Sequence, residues 1–286
     1  MKRVGLGAAL LLIAAVSLRG AGATGPAVPA FDHVVVVVLE NKDQKDVLGN
    51  PSAPYFNSLA ARYAVLSRYG GVAHPSLPNY LALVSGSTQG IRRDCSTCVV
   101  SARNLADTLE RAHRTWKTYA EGLPAPGFTG ASAGRYLKRH VPFLYFRDIL
   151  ARPVRRRRIV PFRQLSRDLA ADELPAFSLV IPDACHDMHD CTVAVGDAWL
   201  RRFLKPLLWS PSLANGVVFV VTDEPRFGRP PSAPVPALAL GPLVEPGSRY
   251  AVRSSHYGLL RTIEDAWDLP RLGHSTRSTP ITGIWR

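Results

Sequence analysis

Apolar runs that stop abruptly at acids organise this chain. Val34 to Leu39 is six consecutive apolar positions, five of them valine, followed at once by Glu40-Asn41. An unbroken β-branched run is the pattern of a strand buried on both faces. Val217 to Val221 repeats it and stops at Thr222-Asp223-Glu224. Phe177 to Ile181 is a third such run, closed by Pro182-Asp183. Thr115 to Tyr119 and Val235 to Leu240 read as further strands. Carboxylates at the carboxyl ends of buried strands stand where open α/β sheets bind their ligands.

Between these runs the spacing changes to that of amphipathic helices. Pro54 to Tyr63 aligns Phe56, Leu59, Ala60 and Tyr63, and Asn104 to His113 aligns Leu105, Leu109 and Ala112. Ala198 to Leu208 carries Trp199, Leu200, Phe203, Leu204 and Leu207 on one broad face. A last helix is expected near Tyr257 to Trp267. Strands alternating with helices predict an α/β fold, a mainly parallel central sheet with helices on both faces. His74 to Tyr80, with two prolines, is expected to be a loop running into Leu81 to Val84. Residues 121–166, rich in Arg, Pro and Gly, fit no period and are expected to be an insertion or cap over the site.

The ends and the composition add context. Lys2-Arg3, the apolar stretch Val4 to Leu18 and the small residues Ala21-Gly22-Ala23 predict a signal peptide over 1–23 and a secreted or periplasmic protein. An uncleaved anchor is the alternative. Residues 24–286 then form one domain, and no later apolar stretch is long enough to span a membrane. Cleavage would remove Lys2, Arg3 and Arg19, taking the net charge from +13 to +10. In an exported chain the four cysteines suggest two disulfides with three possible connectivities, the local one being Cys95–Cys98 with Cys185–Cys191. The run Arg155 to Arg158 is either a solvated face or an attraction for anionic surfaces and substrates. No nucleic-acid-binding motif accompanies the charge.

The chemistry is confined to five clusters. There is no G-x-S-x-G, H-E-x-x-H or P-loop. Glu40-Asn41 is the first cluster. The second is Ser76, set between prolines in HPSLPNY with His74 and Asn79 close by. The third is the loop Asp183-Ala-Cys185-His186-Asp187-Met-His189-Asp190-Cys191. Asp223-Glu224 and His256 complete the set. Each has a plainer reading: a helix cap, a turn serine, a disulfide-tied surface loop, solvated turn acids, a helix-start histidine. Gathered at strand ends, these acids, amides and imidazoles suggest a divalent-cation site. His33, His113 and His274 are left as structural or surface residues.

The segments VVVVVLENKDQ, HPSLPNYLALVSGST, IPDACHDMHDC, VVTDE and HYGLLRTIEDAWDLP resemble the phosphoesterase family of bacterial acid phosphatases and phospholipases C. Within it they are most similar to secreted acid phosphatases of the phosphatidylinositol-3-phosphatase type. The likeness runs from about Phe31 to Trp285. It implies an alkaline-phosphatase-like core and one divalent cation of unknown identity, held by Glu40, Asn41, Asp223 and Glu224. It implies Ser76 as nucleophile, Asn79 on a phosphate oxygen, and His186 or His189 as proton donor. His256 would approach the metal or the phosphate. His74, His140, Asp187 and Asp190 would contact substrate, with His140 at the pocket rim. The chain departs from the family's T-W-D-E pattern, because Thr222 runs directly into Asp223-Glu224-Pro225. The expected activity is hydrolysis of phosphate monoesters through a phosphoserine, on a phosphorylated small molecule or a phospholipid headgroup. The alternatives are a phospholipase C or other phosphodiesterase, and a catalytically silent, basic surface-binding protein.

Overall fold

The first valine run lies at the middle of an eight-stranded sheet in the computed structural model, which describes residue 1 and residues 28–286. The predicted signal segment falls outside the described residues. In chain order the strands are β1 (His33–Leu39), β2 (Ala64–Leu66), β3 (Trp116–Ala120), β4 (Ile159–Pro161), β5 (Phe177–Ile181), β6 (Gly216–Thr222), β7 (Ala237–Leu240) and β8 (Arg249–Tyr250). Their order across the sheet is β8-β2-β7-β6-β1-β5-β3-β4. β1 runs parallel to both neighbours, and β7 alone is antiparallel to its neighbours. The expectation of a mainly parallel α/β sheet holds.

The sheet is covered on both sides because β1 alternates. Val34, Val36 and Val38 pack in one core; Val35, Val37 and Leu39 pack in the other. Each buried valine contributes about 1.5–3 kcal/mol relative to exposure. Helices α2 (Ser76–Ser85), α3 (Leu105–Arg111) and α6 (His256–Ala266) contribute to the first core. Helices α1 (Pro54–Arg62), α4 (Gln164–Ala170) and α5 (Val193–Leu208) contribute to the second. No helix among the described residues is long and apolar enough to cross a membrane.

Three expectations change in detail. The HPSLPNY loop becomes helix from Ser76 onward, and every residue of α2 is buried. Pro78 is tolerated because it falls in the first turn, where N–H groups have no partner within the helix. Residues 121–166 supply the edge strand β4 and place Val141, Phe143, Leu144, Tyr145 and Phe146 in the first core. In the four-arginine run, Arg155 is nearly buried and pairs with Asp107, Glu110 and Asp148. Arg158 also reaches Glu110, and Arg156 donates to Leu150 O. Two of the four arginines are thus counter-charges to these acids, a third is tied to a carbonyl, and Arg157 is exposed. The disulfides are the local pair, Cys95–Cys98 and Cys185–Cys191.

Candidate active site

β1 and β6 lie side by side with Leu39 opposite Thr222, so Glu40 and Asp223 leave the sheet together. The Asp223 N–H donates to Leu39 O at 3.0 Å, and the Asn41 N–H donates to Asp223 Oδ1 at 3.2 Å. Asn41 takes a left-handed backbone (φ 48°), which asparagine tolerates better than most residues. Its side-chain amide lies 3.2 Å from Glu224 Oε1 and 3.3 Å from Asp223 Oδ1, oxygen facing oxygen; turned over, its nitrogen would donate to both.

Helix α2 brings the hydroxyl groups to these acids. Ser76 Oγ donates to Glu40 Oε2 at 2.9 Å and lies 3.4 Å from Glu224 Oε1. One helical turn later, the Tyr80 hydroxyl donates to Glu40 Oε1 at 2.5 Å. Residues four apart share a helix face, so a single turn of α2 grips both oxygens of one carboxylate. His140 stacks on Tyr80 at 5.2 Å and places Nε2 3.5 Å from Glu40 Oε1. On its other side, His140 Nδ1 is 3.6 Å from Asp187 Oδ2. The Asp187 carbonyl also accepts the Glu40 N–H at 2.8 Å.

Burial sets the electrostatics. Glu40, Asp187, Asp223 and Glu224 are all buried. Burial, reinforced by the neighbouring Asp223, raises the Glu40 carboxyl far above its usual range. Burial, then Glu224, does the same for Asp223. Asp187 is pushed up to about 9, by burial and then by Glu40. Glu224 is pushed up to about 8, by burial and then by Asp94. Clustered buried carboxyls hold protons unless a cation neutralises them. The donor set fits a hard divalent cation: the oxygens of Asn41, Asp223 and Glu224 converge, and Asp223 Oδ2 is buried with no hydrogen-bond partner.

The sequence-predicted residues separate into those at this cluster and those behind or beside it. Glu40, Asn41, Ser76, Asp223 and Glu224 come together, with His140 and Asp187 buried against Glu40. His74 sits alongside and contacts Glu224 Oε2 through Nδ1 at 2.5 Å. Asn79, expected on a phosphate oxygen, spends most of its amide on the loop before Ser76: Oδ1 accepts from Val72 and Ala73 N–H, and Nδ2 donates to the Ala73 and Pro75 carbonyls and, at 3.4 Å, to Glu224 Oε2. His256, expected near metal or phosphate, is buried behind the acids. Its Nε2 meets the Asp223 carbonyl at 2.5 Å and its Nδ1 meets the Tyr69 hydroxyl at 2.9 Å. Burial lowers His256 to about 4, so this imidazole is neutral at pH 7. His186 is turned into a separate group with Glu121 (2.9 Å) and Asp183 (3.4 Å) beside Trp199. His189 is more open, its Nδ1 held by Asp190 Oδ1 at 2.6 Å.

Three residues at the site carried too weak a signal to be found in the sequence. Tyr80 had one, its position four after Ser76. Lys42 is half-buried beside the acids; burial lowers its ammonium pKa, while Asp46 and Asp187 pull it back up. Asp94 accepts the Leu77 N–H at 3.0 Å at the start of α2 and lies 3.4 Å from Arg139. It stands in a patternless loop, so nothing local marks it.

Gly71 is needed for the two halves to meet. A Cβ there would lie 2.7 Å from the Asp223 carbonyl and 3.1 Å from Asn79 Oδ1. We therefore expect Gly71→Ala to destabilise the protein by about 1–3 kcal/mol, as overpacking does. Displacing Asp223 should also cut turnover more than this stability loss explains. Thermal denaturation and kcat of one preparation test it, and unchanged values for both would show that the loop can yield.

Residues 50–270 match the model of the Phosphoesterase family. The chain is 40% identical over 268 residues to a phosphatidylinositol-3-phosphatase of Mycobacterium tuberculosis, covering 92% of this chain and 86% of that one. It is 28% identical to an acid phosphatase of Aspergillus fumigatus, covering 85% of this chain but 56% of the relative's length. Among solved structures, a protein in the alkaline phosphatase superfamily from Vibrio parahaemolyticus aligns with a TM-score of 0.60 at 14% identity, over 90% of this chain and 72% of that one. The phosphonate monoester hydrolase of Agrobacterium radiobacter aligns with a TM-score of 0.59 at 14% identity, over 89% of this chain and 79% of that one. These two likenesses establish the fold as alkaline-phosphatase-like.

Proposed function

The chain belongs to the Phosphoesterase family of hydrolases, and from that premise we propose that it is a secreted, cation-dependent phosphatase that hydrolyses phosphate monoesters through a phosphoserine. The observation that carries the reading is Ser76 Oγ, 2.9 Å from Glu40 Oε2 among four buried carboxyls. Glu40, Asn41, Asp223 and Glu224 would hold the cation. Bound there, a divalent ion would neutralise these carboxylates and favour negative charge on the serine oxygen and the phosphoryl group.

The chain's own groups do the rest. The Ser76 hydroxyl points its proton at Glu40 Oε2, and Tyr80 fixes that carboxylate from the opposite oxygen. The Ser76 proton passes to Glu40 Oε2 as the serine oxygen attacks phosphorus, a P–O bond forms to serine, and the bond to the leaving alcohol breaks. His189, oriented by Asp190 through Nδ1, is the group we assign to give the leaving oxygen its proton. His186 is committed to Glu121 and Asp183 and is the weaker choice. Water then cleaves the phosphoserine, releasing phosphate and restoring the hydroxyl. Asn79 and His256 act by position, the first on the loop preceding Ser76 and the second on the Asp223 backbone. Secretion is supported by two disulfides, which persist in oxidising compartments.

Purified protein supplied with a divalent cation should hydrolyse an aromatic phosphate monoester, and a chelator should stop it. Faster turnover of a phosphocholine diester than of the monoester would replace this reading with a phosphodiesterase. Absence of turnover on any phosphoester, with metal bound, would leave a non-catalytic binding protein.

A further inference from the structure

Away from the catalytic cluster, at the opposite ends of the parallel strands, α1 and α5 flank a cavity of about 650 Å³. The segment after β7, Gly241 and Pro242, closes one wall, and the stretch before β6 closes another. Arg62, Arg201, Lys205 and Arg286 all line it, and no aspartate or glutamate does. Among the described residues the side chains of Arg62, Arg201 and Lys205 form no ion pair, and Arg286 is loosely paired with Glu245 at 3.8 Å. Residues 1–27, outside the described chain apart from Met1, contain no acid that could supply one. Arg201 and Lys205 are four apart on one helix, a like-charge spacing that weakens a helix by a few tenths of a kcal/mol unless something neutralises it.

The aromatic residues strengthen the case. Trp209 is 73% exposed, whereas Trp116, Trp199, Trp267 and Trp285 are buried. The Arg62 guanidinium lies 5.9 Å from the Trp209 ring and 5.3 Å from the Tyr63 ring. Stacking of this kind holds the cation in place while its N–H donors stay available. A guanidinium held in this way presents a fork suited to phosphate oxygens. Two further unpaired cations, Arg201 and Lys205, with Arg286 at the edge, favour a ligand with several negative groups over a single carboxylate. The run Arg155 to Arg158 does not compete for this role, since most of its side chains are spent internally.

We propose that this cavity is an accessory binding site for a polyanion bearing clustered phosphates, separate from the catalytic centre and using Arg62, Arg201, Lys205 and Arg286. The ligand chemistry is shared by a soluble polyphosphate and by phosphorylated lipid headgroups. The site stands on its own observations and does not depend on the proposed hydrolytic mechanism.

Trp209 provides the readout, as the one solvent-exposed indole among five. Titration of the full protein with inorganic tripolyphosphate, and separately with phosphatidylcholine vesicles containing an anionic phospholipid, should change Trp209 emission in a saturable, salt-sensitive way. The same titrations on Ser76→Ala should be unchanged, which separates this site from catalysis. Arg201→Ala with Lys205→Ala should weaken binding at least about tenfold, the effect of losing roughly 1.4 kcal/mol. Activity on a small monoester should be retained. A response to tripolyphosphate alone assigns a soluble polyanion, and a response to vesicles alone assigns a lipid surface. No response to either probe, or equal binding by the double variant, would overturn the site. Trp209→Phe should abolish the optical signal yet leave calorimetric binding in place; loss of the calorimetric signal only in Ser76→Ala would also overturn it, by locating the anion at the catalytic centre.

Discussion

Ser76→Ala should lower kcat for an aromatic phosphate monoester by a factor on the order of 10⁴ or more, as removal of a nucleophile does. The hydroxyl is the only part of the side chain that changes, and its site is well supported without it. Glu40 keeps the Tyr80 hydroxyl, and Asn79 keeps its four contacts to the loop backbone. The variant should therefore remain folded, and its metal content by elemental analysis should stay close to that of the parent. Those controls separate a lost nucleophile from a lost site. Rapid quenching of the parent on labelled substrate should trap phosphate on Ser76. Undiminished turnover in the alanine variant would remove the assigned mechanism, while a large loss without any trapped phosphoserine would point to direct attack by water.

The second large effect concerns metal and pH together. In the metal-free protein, Glu224 is pushed up to about 8 and Asp187 to about 9, chiefly by burial. In an unfolded chain such groups titrate near 4. The folded state therefore binds more protons than the unfolded state between these limits. The stability this provides is complete below about pH 4 and is lost as pH rises through the folded values. Each group removes about 1.4 kcal/mol per pH unit across that window. His256, lowered to about 4, acts in the opposite sense, but only below about pH 6.5. From pH 6.5 to 8 the metal-free protein should thus lose thermal stability steadily. A saturating divalent cation should reverse the trend, because ionised carboxylates bind it more tightly as protons leave. Calorimetry across this range, with chelator and with cation, tests both halves. A flat metal-free profile, or no stabilisation by any divalent ion, would contradict the charge arrangement described above.

The parts of the molecule legible in the sequence are those with strong local periods. The valine runs specified β1 and β6 because burial on both faces leaves no polar position to interrupt them. They also placed Glu40 and Asp223 side by side, since parallel neighbours in register end at the same level. The absent tryptophan before Asp223 did not disturb this, because Thr222 still pairs with Leu39. Residues whose role depends on distant packing were harder to read. His186 and His140 are equally suggestive as letters, yet one is drawn toward Glu121 and the other is pressed flat against Tyr80. Asn79 is held mainly by the loop backbone, and His256 by the Asp223 carbonyl and the Tyr69 hydroxyl, partners that no spacing rule reveals. The partners of Arg155 were illegible for the same reason, as its acids are Asp107, Glu110 and Asp148.

The position of β1 has a consequence for how the protein is made. Its partner strands begin at Phe177 and Gly216, so the central strand waits through most of the chain for both neighbours. Glu40 likewise meets Ser76 early but Asp223 only 183 positions further along the chain. Closure over such distances slows folding. A nascent chain exposes an aggregation-prone valine ribbon throughout this interval. No fragment ending before Asp223 can complete the carboxylate cluster, so the cluster is assembled in one late step, when β6 docks beside β1.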